Sequence, residues 1–167
     1  MIAVVQRVTH SHVSVGGEVI GACEKGLMVL LGVAAEDDEE DVRVLCQKLI
    51  KLRIFTDEND KMNLSVRDVQ GEMLVISQFT LLADTSHGNR PSFIGAGSPA
   101  HANELYELFI DMIKEENIPV QSGRFGADME VSIVNDGPVT LILDSAQYRR
   151  KKNNDRFVRP QELSKML

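Results

Sequence analysis

Two short stretches of the sequence carry polar groups at positions where chemistry could take place. In the first, Ser77, Gln78 and Thr80 interrupt an apolar run, with Phe79 between them. Polar side chains at the end of a buried strand need hydrogen-bond partners, and they commonly form the floor of a pocket. The alternative is that these side chains only satisfy neighbouring loops. The stretch is therefore a candidate site that needs a second signal.

The second stretch is residues 135–140, which read Asn-Asp-Gly-Pro-Val-Thr. Alternating apolar residues before it and an apolar run after it predict two strands that meet at a turn here. Pro138 has no amide donor and Gly137 can adopt backbone angles that other residues avoid, so this turn can direct carbonyl groups outward. The alternative is an ordinary hairpin, for which Asn-Asp-Gly is a strong signal.

The familiar catalytic and metal-binding motifs do not occur in the sequence. It has no Gly-rich phosphate loop, no dinucleotide fingerprint and no Gly-x-Ser-x-Gly elbow. Of the four histidines only His10 and His12 are close together, and on a strand they share a face that we expect to meet solvent. We therefore predict no metal and no cofactor.

A side-chain nucleophile has little support from the sequence. Ser77 or Ser92 with His87 could form a serine hydrolase site, but no specific motif indicates one. Thr80 could act as a nucleophile only with a base nearby, and its own segment supplies none. A Ser or Thr esterase therefore stays open only as an alternative.

Length and composition describe the chain that must position these stretches. Its 167 residues suit one domain with a self-sufficient core. No apolar run approaches 18 residues and no charged leader precedes the first strand pattern, so we expect neither a membrane span nor a secretory signal. Cys23 and Cys46 have no redox or metal spacing. They predict buried thiols and a cytoplasmic location.

The pattern of apolar residues predicts an α+β fold with mostly antiparallel strands. Two helices are indicated, one starting among the acidic residues 36–41 and ending near Arg53, the other capped by Ser98 and running to about Glu116. Residues 56–71 are polar and predict mostly a long loop. The strands are predicted at residues 2–8, 13–15, 18–22, 26–33, 72–77, 129–133 and 139–143.

The charge is uneven along the chain. The formal net charge is -7, yet the last twenty residues hold seven Lys or Arg against Asp155 and Glu162. We expect a single domain over residues 1–146 and a basic tail over residues 147–167. The tail could bind phosphates, or it could be a solvated terminus.

Taken together, the two stretches are far more specific than either alone. With the opening residues 1–8 and the Asn-Arg-Pro-Ser-Phe segment at 89–93, the chain resembles the D-aminoacyl-tRNA deacylase family, also called the D-Tyr-tRNA deacylase family. The resemblance covers residues 1–144. It implies a barrel-like homodimer and a hydrolase of carboxylic esters that removes D-amino acids from tRNA, a proofreading step in translation.

The resemblance also implies how substrates are selected. A cis Gly137-Pro138 turn would enter the partner's pocket, where its two carbonyl oxygens bind the α-amino group of the aminoacyl ester. A D side chain would then point to solvent and an L side chain into the wall. Glycine has no side chain to reject, so glycyl-tRNA is an expected substrate.

The remaining site residues follow from the same resemblance. Ser77, Gln78 and Phe79 would form the opposite wall, with Phe79 contacting the terminal adenosine and its backbone amide stabilising an oxyanion. Arg7 would hold the turn and Met129 would line the adenine pocket. The chemistry would depend on the RNA 2'-hydroxyl and backbone groups.

Three further interpretations remain beside this one. Thr80 as a covalent nucleophile is the rival mechanism, and a non-catalytic module that binds the tRNA 3' end is the rival function, together with the small-ester esterase. In the tail, the cationic side chains are predicted to contact tRNA phosphates; the first four are Arg149, Arg150, Lys151 and Lys152.

Overall fold

The computed structural model describes residues 1–149, so Arg150, Lys151, Lys152 and the tail residues after them lie outside the described residues, whereas residues 147–149 of the predicted tail are described. The fold is α+β, with two helices and a mixed sheet that nearly closes into a barrel. In chain order the elements are β1 (Ile2–Val15), β2 (Glu18–Cys23), β3 (Gly26–Gly32), α1 (Glu39–Ile50), β4 (Phe55–Thr56), β5 (Met62–Leu64), β6 (Glu72–Ser77), α2 (Pro99–Glu115), β7 (Val120–Ser122) and β8 (Glu130–Asp144).

The long strand β1 is the spine of the sheet. It pairs antiparallel with β2 and β3 along one edge and with β8 along the other. The predicted antiparallel opening is confirmed, with Gly16 and Gly17 at positive φ in the turn between β1 and β2. The predicted central strand is also confirmed, because β3 lies between β1 and β6.

The prediction that two strands meet at residues 135–140 is wrong. β8 is one strand of 15 residues, and both of its halves pair with the same partner, β1. Its register jumps from Gln6 opposite Thr140 to Val8 opposite Asn135. The residues from Asp136 to Val139 therefore bulge out of the ladder. The local hairpin signal is overridden because β1 is long enough to pair on both sides of the bulge.

The sheet is less uniformly antiparallel than the sequence indicated. Two neighbouring pairs, β3 with β6 and β6 with β7, are parallel, and a helical crossover connects the strands of each pair. The far edges of the sheet approach each other, since the Ala22 amide of β2 donates to the Gln121 side chain of β7 at 2.9 Å. This contact brings the barrel close to closure.

Alternation along the strands sends side chains into two cores. Leu27, Val29 and Leu31 of β3 pack under both helices, whereas Met28 points into the barrel with Leu74 of β6. The two cysteines are buried and free, as predicted. Among residues 1–149, no helix is long and apolar enough to cross a membrane.

Both predicted helices form, and the observed bounds match the predicted ones better for α2 than for α1. α2 is capped by the Ser98 hydroxyl, which accepts from the His101 amide, and has Pro99 in its first turn, so its predicted bounds are confirmed. α1 begins at a capping box between Asp38 and Asp41 and ends at Ile50, three residues before the predicted end. The predicted loop 56–71 contains β5, which pairs antiparallel with β4 at the start of that segment.

Candidate active site

A cavity of about 580 Å³ opens at the end of the central strands. Its walls come from the end of β6, the first turn of α2 and the segment that leads into β8. The structure brings Ser77, Gln78, Phe79 and Met129 together in this lining. These four residues were predicted to form one pocket.

The end of β6 explains why the polar stretch faces a cavity. The backbone amide of Gln78 donates to the Leu31 carbonyl at 2.8 Å, and this is the last hydrogen bond of the ladder between β6 and β3. The chain then turns into a short 3-10 helix, Phe79–Leu82. Gly32 permits this turn, because a Cβ there would lie 2.7 Å from the Leu82 side chain and 3.0 Å from the Gln78 carbonyl oxygen.

Phe79 presents both a ring and a backbone amide at this wall. Its side chain is 53% exposed and packs edge-on against Phe93, with ring centroids 5.0 Å apart. Phe93 follows a loop that is closed by two backbone hydrogen bonds between Asp84 and Ser92, at 2.8 and 2.9 Å. Within residues 1–149 the Phe79 amide makes no hydrogen bond, so its N–H can donate to a ligand.

The facing wall contains residues that the sequence analysis did not identify. Phe125 and Asp128 line the cavity beside Met129. A Cβ at position 123 would lie 2.5 Å from the Met129 sulfur, so Gly123 leaves the space that the Met129 side chain occupies. Phe125 packs at 6.0 Å against Tyr106 of α2, whose hydroxyl donates to the Val75 carbonyl at 2.8 Å. Burial raises the pKa of Tyr106 to about 12, so this hydroxyl stays protonated and structural.

The cavity lining contains few side chains that could act as a general acid or base. Among the described residues that line it, Asp128 is the one ionisable side chain, and it is exposed. Thr80 lies just outside the lining, and its hydroxyl accepts a hydrogen bond from the side-chain amide nitrogen of Gln78. His87 is exposed on the loop after β6 and makes no hydrogen bond to Ser77 or Ser92 within residues 1–149. No serine triad is therefore assembled in the described part of the chain.

The turn at Gly137 and Pro138 lies far from the cavity of its own chain. Both residues are exposed, and their peptide bond is cis. Six positions of β8 separate Gly137 from Val131, which lines the cavity, and this corresponds to about 15 to 20 Å of strand. Neither Gly137 nor Pro138 lines that cavity in the structure of residues 1–149.

Two side chains brace the base of this turn. The Arg7 guanidinium is buried opposite the bulge and donates to the carbonyls of Asp136 at 3.2 Å and Ile54 at 2.7 Å. From within β8, the Asn135 amide nitrogen donates to the Val139 carbonyl at 3.1 Å, and the Asn135 oxygen accepts from the Val139 amide at 3.0 Å. Arg7 was identified from the sequence, whereas the role of Asn135 was missed although its type is typical of side chains that bridge turns.

The remaining predicted residues have simpler surroundings. Arg149 donates to the carboxylates of Asp41 at 2.8 Å and Asp38 at 3.0 Å. Its guanidinium therefore bridges the N-cap residue and the first turn of α1. The phosphate contacts predicted for the tail then depend on residues outside the described range. In residues 1–149 no group of three His, Cys, Asp or Glu side chains is arranged to hold a metal ion.

Comparisons with known proteins agree on one family. The sequence profile described as "D-Tyr-tRNA(Tyr) deacylase" matches residues 4–144. A protein of Haemophilus influenzae (strain 86-028NP) named "D-aminoacyl-tRNA deacylase" is 57% identical over 144 residues, which cover 86% of this chain and 99% of that protein.

Two solved structures share the fold. One is titled "c-Myc DNA Unwinding Element Binding Protein", with a TM-score of 0.82 and 43% identity over 86% of this chain and 98% of that chain. The other, titled "Structural Analysis of a probable eukaryotic D-amino acid tRNA deacylase", has a TM-score of 0.72 and 18% identity over the same shares. At that identity the second likeness concerns the fold alone.

Proposed function

Because the chain belongs to the D-Tyr-tRNA(Tyr) deacylase family, we propose that it is a D-aminoacyl-tRNA deacylase. The observation that carries the proposal is the family match over residues 4–144, which includes both the cavity and the turn. The enzyme hydrolyses the ester between a D-amino acid and the terminal adenosine of tRNA. This activity is proofreading for translation, and the proposal therefore includes a cytoplasmic location.

The proposed reaction is the hydrolysis of one ester bond by water. The water oxygen adds to the ester carbonyl, the bond from the carbonyl carbon to the adenosine oxygen breaks, and that oxygen takes up a proton. The products are a free D-amino acid and uncharged tRNA. The Phe79 amide would donate to the oxyanion that forms on the carbonyl oxygen, since this N–H makes no hydrogen bond within residues 1–149.

The proton transfers are assigned to the RNA rather than to a side chain. The cavity lining in the described chain includes no His, Lys or Cys, and its one carboxylate, Asp128, is exposed. A vicinal 2'-hydroxyl on the terminal ribose is close to the ester in every aminoacyl-tRNA. We therefore assign the 2'-hydroxyl to orient the water and move its proton, with Ser77 and Gln78 lining that wall.

Chiral selection is assigned to the carbonyl oxygens of Gly137 and Pro138. These carbonyls would accept hydrogen bonds from the α-ammonium group of the substrate. With the ammonium and the ester both held, the D side chain points out of the cavity and an L side chain overlaps its wall. The firm bracing of the turn by Arg7 and Asn135 supports this assignment, because a filter of this kind needs a fixed backbone. Glycyl-tRNA would pass the filter.

The turn and the cavity that it serves belong to different subunits in this proposal. Within one chain they are separated by about 15 to 20 Å of β8, so the turn needs the cavity of a second copy. The same strand exposes Val134 and Ile142, which are 44% and 73% accessible to solvent in the single chain. A homodimer would cover these apolar side chains and complete both sites at once.

The adenosine of the substrate is assigned to the wall formed by Phe79 and Met129. An exposed aromatic ring held edge-on by Phe93 offers its face to a base. The flexible Met129 side chain fits the irregular shape opposite it. Both residues line the cavity.

Two substrates measured side by side test the proposed function. D-tyrosyl-tRNA and the ethyl ester of D-tyrosine are incubated with the protein, and free tyrosine is quantified. We expect release from the tRNA ester only, because the reaction needs the RNA 2'-hydroxyl. Hydrolysis of the ethyl ester at a similar rate would indicate a small-ester esterase. Binding of the tRNA without release of tyrosine would indicate a non-catalytic module, and either result would contradict the proposal.

A further inference from the structure

A groove of about 710 Å³ runs along the exposed side of α1, away from the cavity described above. Four cationic side chains line it: Arg43, Lys48, Lys51 and Arg53. Tyr148 forms part of its wall, and the Lys48 ammonium lies over the Tyr148 ring at 5.0 Å from the centroid. The groove therefore combines positive charge with part of an aromatic ring.

The charge of the groove is opposite to that of the chain around it. Residues 1–149 contain 12 Lys or Arg and 23 Asp or Glu, so one third of these cations line a single groove. Glu40 is the one acidic residue among the described residues of the lining, and it pairs with Arg43. Lys48 and Lys51 are exposed and make no ion pair within residues 1–149. An ordinary solvated helix face on an acidic protein does not require this concentration of cations.

Hydrogen bonds connect the chain next to the groove with the base of the turn at Gly137. Arg53 lines the groove, and the carbonyl of the next residue, Ile54, accepts from Arg7 at 2.7 Å. The same guanidinium donates to Asp136 immediately before the turn. Arg53 of the groove is therefore linked to the base of the turn through Ile54 and Arg7.

We propose that this groove binds the sugar-phosphate backbone of the aminoacyl-tRNA whose 3' end occupies the cavity that the turn enters. The inference rests on the proposed function for the identity of the RNA. From Arg43 to Lys51 the helix rises about 12 Å, so the cations can contact successive phosphates along one strand.

Binding of RNA without catalysis tests the groove separately from the deacylase activity. The probe is a fluorescent RNA minihelix with the acceptor stem and 3' end of a tRNA, and its Kd is measured by anisotropy between 50 and 300 mM salt. The groove variant is Lys48→Gln/Lys51→Gln in the full chain. The matched control is Lys25→Gln/Lys114→Gln, which removes two exposed cations outside the groove.

We expect the groove variant to weaken binding on the order of tenfold at low salt and to reduce the salt slope by about 1.4 to 1.8, whereas the control changes neither by half as much. Equal Kd and slope for wild type and the groove variant would overturn the inference. Equal weakening by the control would also overturn it, because the effect would then be one of net charge. Thermal unfolding verifies that both variants are folded. Absence of D-tyrosyl-tRNA hydrolysis by the wild type would end the proposed function, while the binding result would still decide the groove.

Discussion

The guanidinium of Arg7 holds Asp136 at two points, with Nε 3.2 Å from the backbone carbonyl oxygen and 3.1 Å from a carboxylate oxygen. Arg7 is the one β1 residue between the two register positions that flank the bulge, Gln6 and Val8. Arg7 lies opposite the part of β8 that does not pair with β1, and its side chain donates hydrogen bonds there in place of the backbone ladder. The Arg7 side chain therefore stabilises the bulge of β8.

Replacement of Arg7 by Ala should both destabilise the protein and weaken chiral selection. It leaves the buried carbonyl of Ile54 and that of Asp136 without a charged donor, at a cost of about 2 kcal/mol in the free energy of unfolding. The freed turn should then lower the ratio of D-ester to L-ester hydrolysis. Chemical denaturation and the two hydrolysis rates measure these effects.

A matched control for this prediction is Arg67→Ala. Arg67 pairs with Glu116 on the surface, so its loss should change the free energy of unfolding by less than about 1 kcal/mol and leave the D to L ratio as in wild type. An Arg7 variant that keeps the wild-type ratio would contradict the role of Arg7 in holding the turn.

Replacement of Gly137 by Ala should displace the turn. A Cβ there would lie 2.8 Å from the Val139 side chain and 2.9 Å from the Arg7 guanidinium, at a backbone φ of +124° that disfavours alanine. A shift of about 1 Å in a positioned group can reduce a rate about 100-fold, and we expect a loss of that order for D-tyrosyl-tRNA.

Gly88→Ala separates backbone strain from the contacts of the turn. Gly88 has nearly the same φ, +126°, but a Cβ there would meet nothing within 4 Å. We expect this variant to hydrolyse D-tyrosyl-tRNA at the wild-type rate after correction for folded protein. Equal losses in the two glycine variants would mean that the turn has no special part in the reaction.

Thr80→Ala and Asp128→Asn should each retain hydrolysis within about tenfold of wild type. Neither side chain is expected to form a covalent intermediate or act as a base, whereas loss of a true catalytic nucleophile can cost about a million-fold in kcat. Single-turnover hydrolysis of D-tyrosyl-tRNA is the measurement. A loss of 1,000-fold or more in either variant would replace the RNA-assisted mechanism with a side-chain one.

The two cysteines should resist alkylation in the folded protein. Burial, together with nearby glutamates, raises the pKa of the Cys23 thiol to about 11 and that of Cys46 to about 12. Since a thiol reacts as its thiolate, both should stay protonated and unlabelled by iodoacetamide at pH 8. Mass spectrometry should find two modified cysteines only after denaturation. Rapid labelling of the native protein would mean that these thiols are not buried.

The elements defined by local chemistry could be predicted from the sequence. The Ser98 cap with Pro99 specifies the start of α2, and the glycine pair at 16 and 17 specifies the first turn. What could not be predicted depends on distant pairing. Asn135 to Thr140 has every local sign of a hairpin, yet the register with β1 makes it a bulge. The short β7 pairs with β6, a neighbour more than forty residues away in sequence that the local pattern of β7 does not reveal.

The site was predicted in the same uneven way. Ser77, Gln78 and Phe79 adjoin a recognisable strand end, so their shared wall could be expected. Phe125 and Asp128 lie in a segment without periodicity, and only the packing of Phe125 on Tyr106 brings it to the cavity. Asn135 acts through a bridge across a bulge that a single-strand pattern does not reveal.

Hydrolysis of D-tyrosyl-tRNA and L-tyrosyl-tRNA, measured side by side at equal enzyme concentration, tests the central claim most directly. The account predicts rapid loss of the D ester and persistence of the L ester, because in the proposed filter the carbonyls of Gly137 and Pro138 would fix the amino group so that only a D side chain avoids the wall. Loss of both esters at similar rates would contradict the backbone filter, and loss of neither would contradict the deacylase activity itself.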